Sequence, residues 1–475
     1  MKTIRLLLLL LLLVAANAMG QQLKLADGFS DGMVLQCDKP LRIFGTGAPG
    51  QTVNVRFGKA RAKAVCDEGG RWLAELPAQA ANARQQMLTV TMGRQKVTLS
   101  DVLVGEVWLC SGQSNMEFNM SPVWRGGSTN KVDKTQSGID VVGDELARLQ
   151  REGDGANPLM RAIVIEKELK TDTLPTTGWH HVTAATVSPV SELGYFFAKE
   201  LIDSLQVPVG IIVSCWGGSP ITAWIPGGTQ YGEGKMYEHM VAPLAPMTMR
   251  GYLWYQGEAD LTQGQTSQYY WLQQKLMRSW RKAFDDQTLS FLYVQLAPYD
   301  YSSRRYDVCA HDWMELARFR KVQDDLQHDK TEPCSMASII DLCDNLKDIH
   351  PTYKWEVAHR LILLAMRDTY GRPDVVAEGP RMTGISYEDG TAIVTFSEAL
   401  TTRDGKEPCC FECSGDGLRF RPATEVKVEG NRVILRCDKW PKVLKDVRYA
   451  WDEAAITNLC SAASGLPVWP FNTQQ

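Results

Sequence analysis

The chain has 475 residues, with 51 Lys and Arg against 55 Asp and Glu, a formal net charge of -4, and 44% hydrophobic and 22% charged residues. That length can bury two or three cores. The near balance of charge leaves no polybasic footprint for nucleic acid or for an anionic membrane.

At the N-terminus Lys2 and Arg5 precede an apolar run from Leu6 to Val14 and then Ala15-Ala16-Asn17-Ala18. A basic head, a short apolar middle and a small-x-small end predict a secretory signal peptide over residues 1–20, cleaved near Ala18. The run is short for a transmembrane helix. The expected product is exported, periplasmic or extracellular, with no membrane anchor after cleavage. Twelve Cys in an exported chain allow disulfides without defining a framework. The one CxxC, Cys410-Phe411-Glu412-Cys413, lacks the second pair that zinc would need and reads as structural.

Residues 21–100 carry short alternating runs such as Val53-Asn54-Val55-Arg56-Phe57 and Leu88-Thr89-Val90-Thr91-Met92, broken by turns. They predict an N-terminal antiparallel β-domain. Gly45-Thr46-Gly47-Ala48-Pro49-Gly50 matches the dinucleotide pattern G-x-G-x-x-G. A helix must start at those glycines for the match to mean anything, and Pro49 followed by a period-two strand predicts a β-turn instead.

From 101 to 371 the pattern alternates between strands and helices. Strands are expected at Val102–Leu109, Arg161–Ile165, Val209–Ser214, Gly251–Tyr255, Phe291–Leu296 and Ala337–Asp341. Helical spacing appears at Leu193–Leu201, at Tyr269–Phe284 and from about Pro351 to Tyr370. Such alternation predicts an α/β domain with a parallel sheet covered by helices on both faces. Residues 126–158, polar and Gly-rich, read as a loop-rich insertion holding one helix at Val142–Gln150. Alternation at Thr391–Phe396, Glu425–Val428 and Arg432–Leu435 predicts a C-terminal β-domain over 372–475.

Four strand ends carry polar groups that chemistry could use. Val107-Trp108-Leu109-Cys110 runs into Ser111-Gly112-Gln113-Ser114-Asn115-Met116, a strand-to-turn sequence that exposes a serine and its backbone N–H. Capping by Ser111 or Ser114 is the structural alternative. Val213-Ser214-Cys215-Trp216 ends in Gly217-Gly218, whose N–H groups suit an oxyanion. Leu253-Trp254-Tyr255 ends in Gln256-Gly257-Glu258, where Gln256 offers a side-chain donor and Glu258 could orient it or position substrate. Asp348-Ile349-His350-Pro351 opens the last helix. Pro351 suits its first turn and leaves His350 at the loop with a carboxylate two residues earlier, as a general base requires.

With these four blocks in this order, the chain resembles the SGNH hydrolase superfamily, and more narrowly the sialate O-acetylesterase family. The likeness extends to Asp31-Gly32-Met33-Val34-Leu35-Gln36 and to Gly465-Leu466-Pro467-Val468-Trp469-Pro470-Phe471. It implies an SGNH-hydrolase-like α/β domain flanked by β-sandwich-like domains and a carboxylic ester hydrolase with a serine nucleophile. Catalytic Ser114, His350 and Asp348 are implied, with an oxyanion hole from Ser114, Gly218 and Gln256. Glu258 and Trp224 are expected to contact substrate, Trp224 as a wall of the cleft, with a core position as its alternative. The expected partner is O-acetylated sialic acid or another acetylated glycan, and no metal or organic cofactor is called for. Acetylxylan-type substrates and an inactive carbohydrate-binding protein are the alternatives. The superfamily pattern D-x-x-H is broken here, because Lys347 stands three before His350. Asp348, Asp344, Asp341 or a backbone carbonyl is left to orient the imidazole.

Overall fold

The computed structural model describes residues 22–121, 141–170, 173–227, 233–303 and 312–474. The signal peptide expected over 1–20, and the first half of the 126–158 insertion, lie outside those residues. The helix expected in the second half of the insertion spans Val141–Glu152.

The molecule is mixed α/β: one large mixed sheet, helices packed on it, and further antiparallel sheets at both ends of the chain. Near the N-terminus, Thr52–Phe57 shows why the strands form. Val53, Val55 and Phe57 are buried while their neighbours face out, so the period-two sequence matches the pleat. Gly45 and Thr46 close a strand and residues 48–50 turn, with Thr52–Phe57 following. No helix begins at these glycines.

The spine of the large sheet is an 18-residue strand, β1 (Gln95–Gly112). Its first part pairs antiparallel with Asn82–Met92, and its last part pairs in parallel on both sides. The change in sequence character near Asp101, whose φ is +53°, marks a change of partners along this strand.

The parallel neighbours are β2 (Met160–Val164), β3 (Val209–Cys215), β4 (Gly251–Tyr255), β5 (Ser290–Val294) and β6 (Ser335–Ala337), in the order β2-β3-β1-β4-β5-β6. All these pairings are parallel. A short helix α1 (Ser114–Glu117) follows β1, and α2 (Glu192–Leu205) precedes β3. Helices α3 (Glu258–Thr262) and α4 (Thr266–Ala283) follow β4. Then come α5 (Glu315–Gln327) and α6 (Lys354–Leu364).

Both faces of the sheet are covered, as the aromatic contacts establish. Gly251 stands in register with Trp108 and Tyr252 with Leu109, so Trp108 and Tyr252 project to opposite faces. Trp108 meets Phe197 of α2 edge-on at 5.1 Å, and Tyr252 meets Trp280 of α4 at 5.1 Å. Each buried aromatic side chain contributes roughly 1.5–3 kcal/mol through removal of its surface from water.

One continuous apolar cluster joins the N-terminal strands to the central sheet, from Leu23 through Trp108 to Leu364. A second cluster, including Val394, Phe396, Leu435, Val447 and Tyr449, fills the C-terminal antiparallel strands. No helix among the described residues is long and apolar enough to cross a membrane. All the described cysteines are free thiols.

Candidate active site

In an open parallel sheet, ligands bind beyond the carboxyl ends of the strands where the winding reverses. Here β1 is central, with β3 on one side and β4 on the other, so the crevice opens where these three strands end.

At the end of β1, Gly112 has φ +135° and lies so close to β4 that a Cβ would stand 2.1 Å from the Tyr255 carbonyl oxygen. Only glycine permits that approach, and it turns the chain sharply into α1. Ser114 is the first residue of α1 and is partly exposed. Gln113 precedes the helix and no side chain caps it, so the capping alternative for Ser111 and Ser114 does not hold.

At the end of β3, Gly217 packs against the serine. A Cβ on Gly217 would lie 3.4 Å from that of Ser114. The Gly217 N–H donates to Glu117 Oε2 at 2.6 Å. Gly218, exposed and at φ +73°, borders open space. Of the two glycines, Gly217 has its amide engaged by Glu117 and Gly218 is the exposed one.

His350 is carried to the same place through Asn115. The Asn115 Nδ2 donates to the Ile349 carbonyl at 3.0 Å and to Glu258 Oε1 at 2.6 Å. The loops of Glu258 and Ile349 are thereby both tied to the residue that follows Ser114. Asp348 Oδ1 lies 3.3 Å from His350 Nδ1 and accepts the His350 backbone N–H at 3.0 Å. The other carboxylates that could have oriented the imidazole are engaged elsewhere. Asp344 accepts from the Thr352 hydroxyl, and Asp341 pairs with Arg360 and Arg403.

Residues 104–332 match the family model described as carbohydrate esterase, sialic acid-specific acetylesterase. Human sialate O-acetylesterase is 28% identical over 98% of this chain and 95% of its own length, and the mouse protein 26% identical over 98% and 97%. A solved carbohydrate acetylesterase from Xanthomonas citri is 32% identical, covering 95% of this chain and 99% of its own, with a TM-score of 0.79. The chain belongs to the sialic acid-specific acetylesterase family of carbohydrate esterases. It is a carboxylic ester hydrolase.

Within this esterase three side chains expected at the surface of the crevice lie beneath it. Trp224 is 0% exposed; its ring meets Trp254 edge-on at 6.0 Å and its Nε1 donates to Ser219 Oγ. It is a core residue and forms no wall of the cleft. Gln256 is 0% exposed. Its Nε2 donates to the Ser219 carbonyl, to Gln113 Oε1 and to Asp260 Oδ2. With its donors used in this way, Gln256 braces the ends of β1, β3 and β4 and is not aimed at an oxyanion. Glu258 is 4% exposed and accepts from Asn115, so it supports the Ser114 loop from inside and does not line the surface of the crevice.

The sequence reading missed a layer of buried charge under the site. Burial pushes the Glu258 carboxyl above its ordinary range, opposed by the Asn115 hydrogen bond and by nearby His350 and Lys354. Burial likewise raises Asp260 to about 6. Lys354 is fully buried and is pushed down to about 8 by desolvation. Its place on α6 could have been read from spacing. Lys354, Ala358 and Leu361 are i, i+4 and i+7, so a lysine stands on the apolar face.

Proposed function

We propose that this esterase removes O-acetyl groups from sialic acids or closely related acetylated sugars through an acetyl-enzyme on Ser114. The Ser114 Oγ attacks the acetyl carbonyl and forms a tetrahedral intermediate as His350 takes its proton. Because the Nδ1 of His350 faces Asp348, its Nε2 serves the hydroxyl, and Asp348 holds the tautomer. The Ser114 and Gly218 N–H groups donate to the oxyanion. Collapse expels the sugar oxygen, which receives the proton from His350. Water deprotonated by His350 then attacks the acetyl-enzyme; the bond to Ser114 Oγ breaks, Oγ takes the proton back from His350, and acetate leaves. The basic and apolar N-terminal residues support export of the enzyme to the periplasm or the cell exterior.

The observation that carries this reading is the Asn115 bridge, which holds the loop of Ile349 and His350 against the residue after Ser114. The sialic acid substrate class rests on the family and on the names of the human and mouse relatives. Acetate release from O-acetylated sialic acid, from acetylxylan and from an aryl acetate tests it, comparing wild type with Ser114→Ala. The expected result is release from the sialic acid substrate and from the aryl acetate, abolished in the variant. Preference for acetylxylan would move the substrate class to plant polysaccharide. Failure on all three, with no labelling of Ser114 by an organophosphonate, would leave a carbohydrate-binding protein.

A further inference from the structure

The chemistry assigned to Ser114 and His350 makes no use of the buried lysine beneath them. Taking an ammonium group out of water costs several kcal/mol after relaxation, so a lysine at such a position must be closely partnered. The Nζ of Lys354 donates to Asn115 Oδ1 at 3.0 Å and to the Pro351 carbonyl. It lies 4.8 Å from the centroid of the Phe118 ring and 5.9 Å from that of Tyr255, within range of cation–π attraction. Asn115 follows Ser114, and Pro351 follows His350. One ammonium group therefore spans the neighbours of the two reacting residues.

We propose that Lys354 is a positioning residue whose ammonium clamps the serine loop to the histidine loop and so sets the reach of the imidazole to the hydroxyl. The proposal rests on the serine-esterase reading above. A misplacement of about 1 Å in such a pair costs on the order of 10²-fold in rate. Asn115 alone ties the loops by one amide; the lysine adds a second tie from the opposite end of the same side chain.

The clamp depends on charge. Glu192 at the start of α2, Glu258 at the start of α3, and Asp344 and Asp348 on the loop before α6 all favour the ammonium. His350 stands on that same loop. Burial opposes these carboxylates and prevails, which places the lysine at about 8. Above that pH the ammonium loses its charge and one of its three donors. An alkaline fall in kcat then belongs to Lys354. Folding stability moves the other way. The unfolded chain holds the lysine proton up to its ordinary 10.5, so between about 8 and 10.5 the unfolded state binds more protons and stability rises with pH. Lost activity without lost stability separates the clamp from alkaline unfolding.

The test measures kcat and KM for an aryl acetate from pH 5 to 10 in wild type, Lys354→Met and Lys354→Arg, with circular dichroism to monitor folding. Lys354→Met is expected to lose about 10- to 100-fold in kcat, with KM within about threefold and no alkaline limb. Lys354→Arg keeps its charge throughout and should move the limb beyond pH 10. A Lys354→Met enzyme with wild-type kcat, or one that is slower but keeps the wild-type alkaline limb, overturns the proposal. Should Lys354→Met not fold, an unmoved limb in Lys354→Arg overturns it alone. Activity retained in Ser114→Ala would instead defeat the serine-esterase reading, whatever the lysine variants do.

Discussion

The layer beneath the crevice at the ends of β1, β3 and β4 and the interior of the C-terminal antiparallel strands are equally buried, yet they hold opposite kinds of side chain. Among the C-terminal strands the interior is Val394, Phe396, Leu435 and Val447, none more than 1% exposed. Under the crevice, Asn115, Gln256, Glu258, Asp260 and Lys354 are at most 4% exposed. Burying apolar surface contributes roughly 25 cal/mol per Å². A buried charge costs several kcal/mol unless its partners are well placed. The C-terminal strands are thus built for stability. The crevice gives up stability to fix the placement of a few atoms, a conflict with local packing rules of the kind expected at functional sites.

If the two regions divide the work in this way, substitutions should separate rate from stability. The largest effect is expected at Ser114 and His350, the pair proposed to react. Ser114→Ala or His350→Ala should lower kcat by on the order of 10⁴-fold or more and leave the melting temperature within a few degrees, as acetate-release kinetics and calorimetry would report. A variant that melts early and keeps its rate would erase the contrast. Trp224→Ala comes next. Removing a side chain buried against Trp254 should cost about 3–5 kcal/mol in denaturant unfolding, with KM for an acetylated sugar unchanged. A raised KM with normal stability would return Trp224 to the cleft wall.

Leu435→Ala, in the C-terminal cluster, should cost about 2–5 kcal/mol and leave kcat/KM at its wild-type value. Loss of rate in a folded Leu435→Ala enzyme would mean the two regions are coupled. The smallest effect concerns Asp260. Its folded pKa of about 6 lies above the ordinary 3.8, so the native state holds the proton longer than the unfolded chain. Wild-type stability should fall as pH rises from about 4 to 6, and Asp260→Asn should flatten that slope in urea titrations.

Much of the sheet was legible. Gly251–Tyr255 is a strand with the expected bounds, and the expected strand Val209–Ser214 gains one residue, Cys215. The helix expected at Tyr269–Phe284 runs over Thr266–Ala283. These elements declare themselves because each is long, strongly periodic and bounded by turn residues. The bounds of β1 were not legible, because the strand changes partners about Asp101, whose φ is +53°, and the stretches on either side read in sequence as separate runs. Gln256 and Glu258 were placed at the surface of the crevice for a related reason. Polar residues after a strand read as a turn, and nothing local says whether that turn points outward or is roofed by its neighbours.

Sequence alone determined which strand ends carry polar groups and in what order, since strand-to-turn junctions follow from residues a few positions apart. Tertiary structure decided which of those groups meet. Asn115 reaches Ile349 across more than two hundred residues, and that contact exists only because the winding of the sheet brings the ends of β1 and β4 to one edge, with the loop before α6 beside them. It also decided which polar groups are spent inside. Whether an amide or a carboxylate faces substrate or protein is set by what packs over it, and that depends on chain segments distant in sequence.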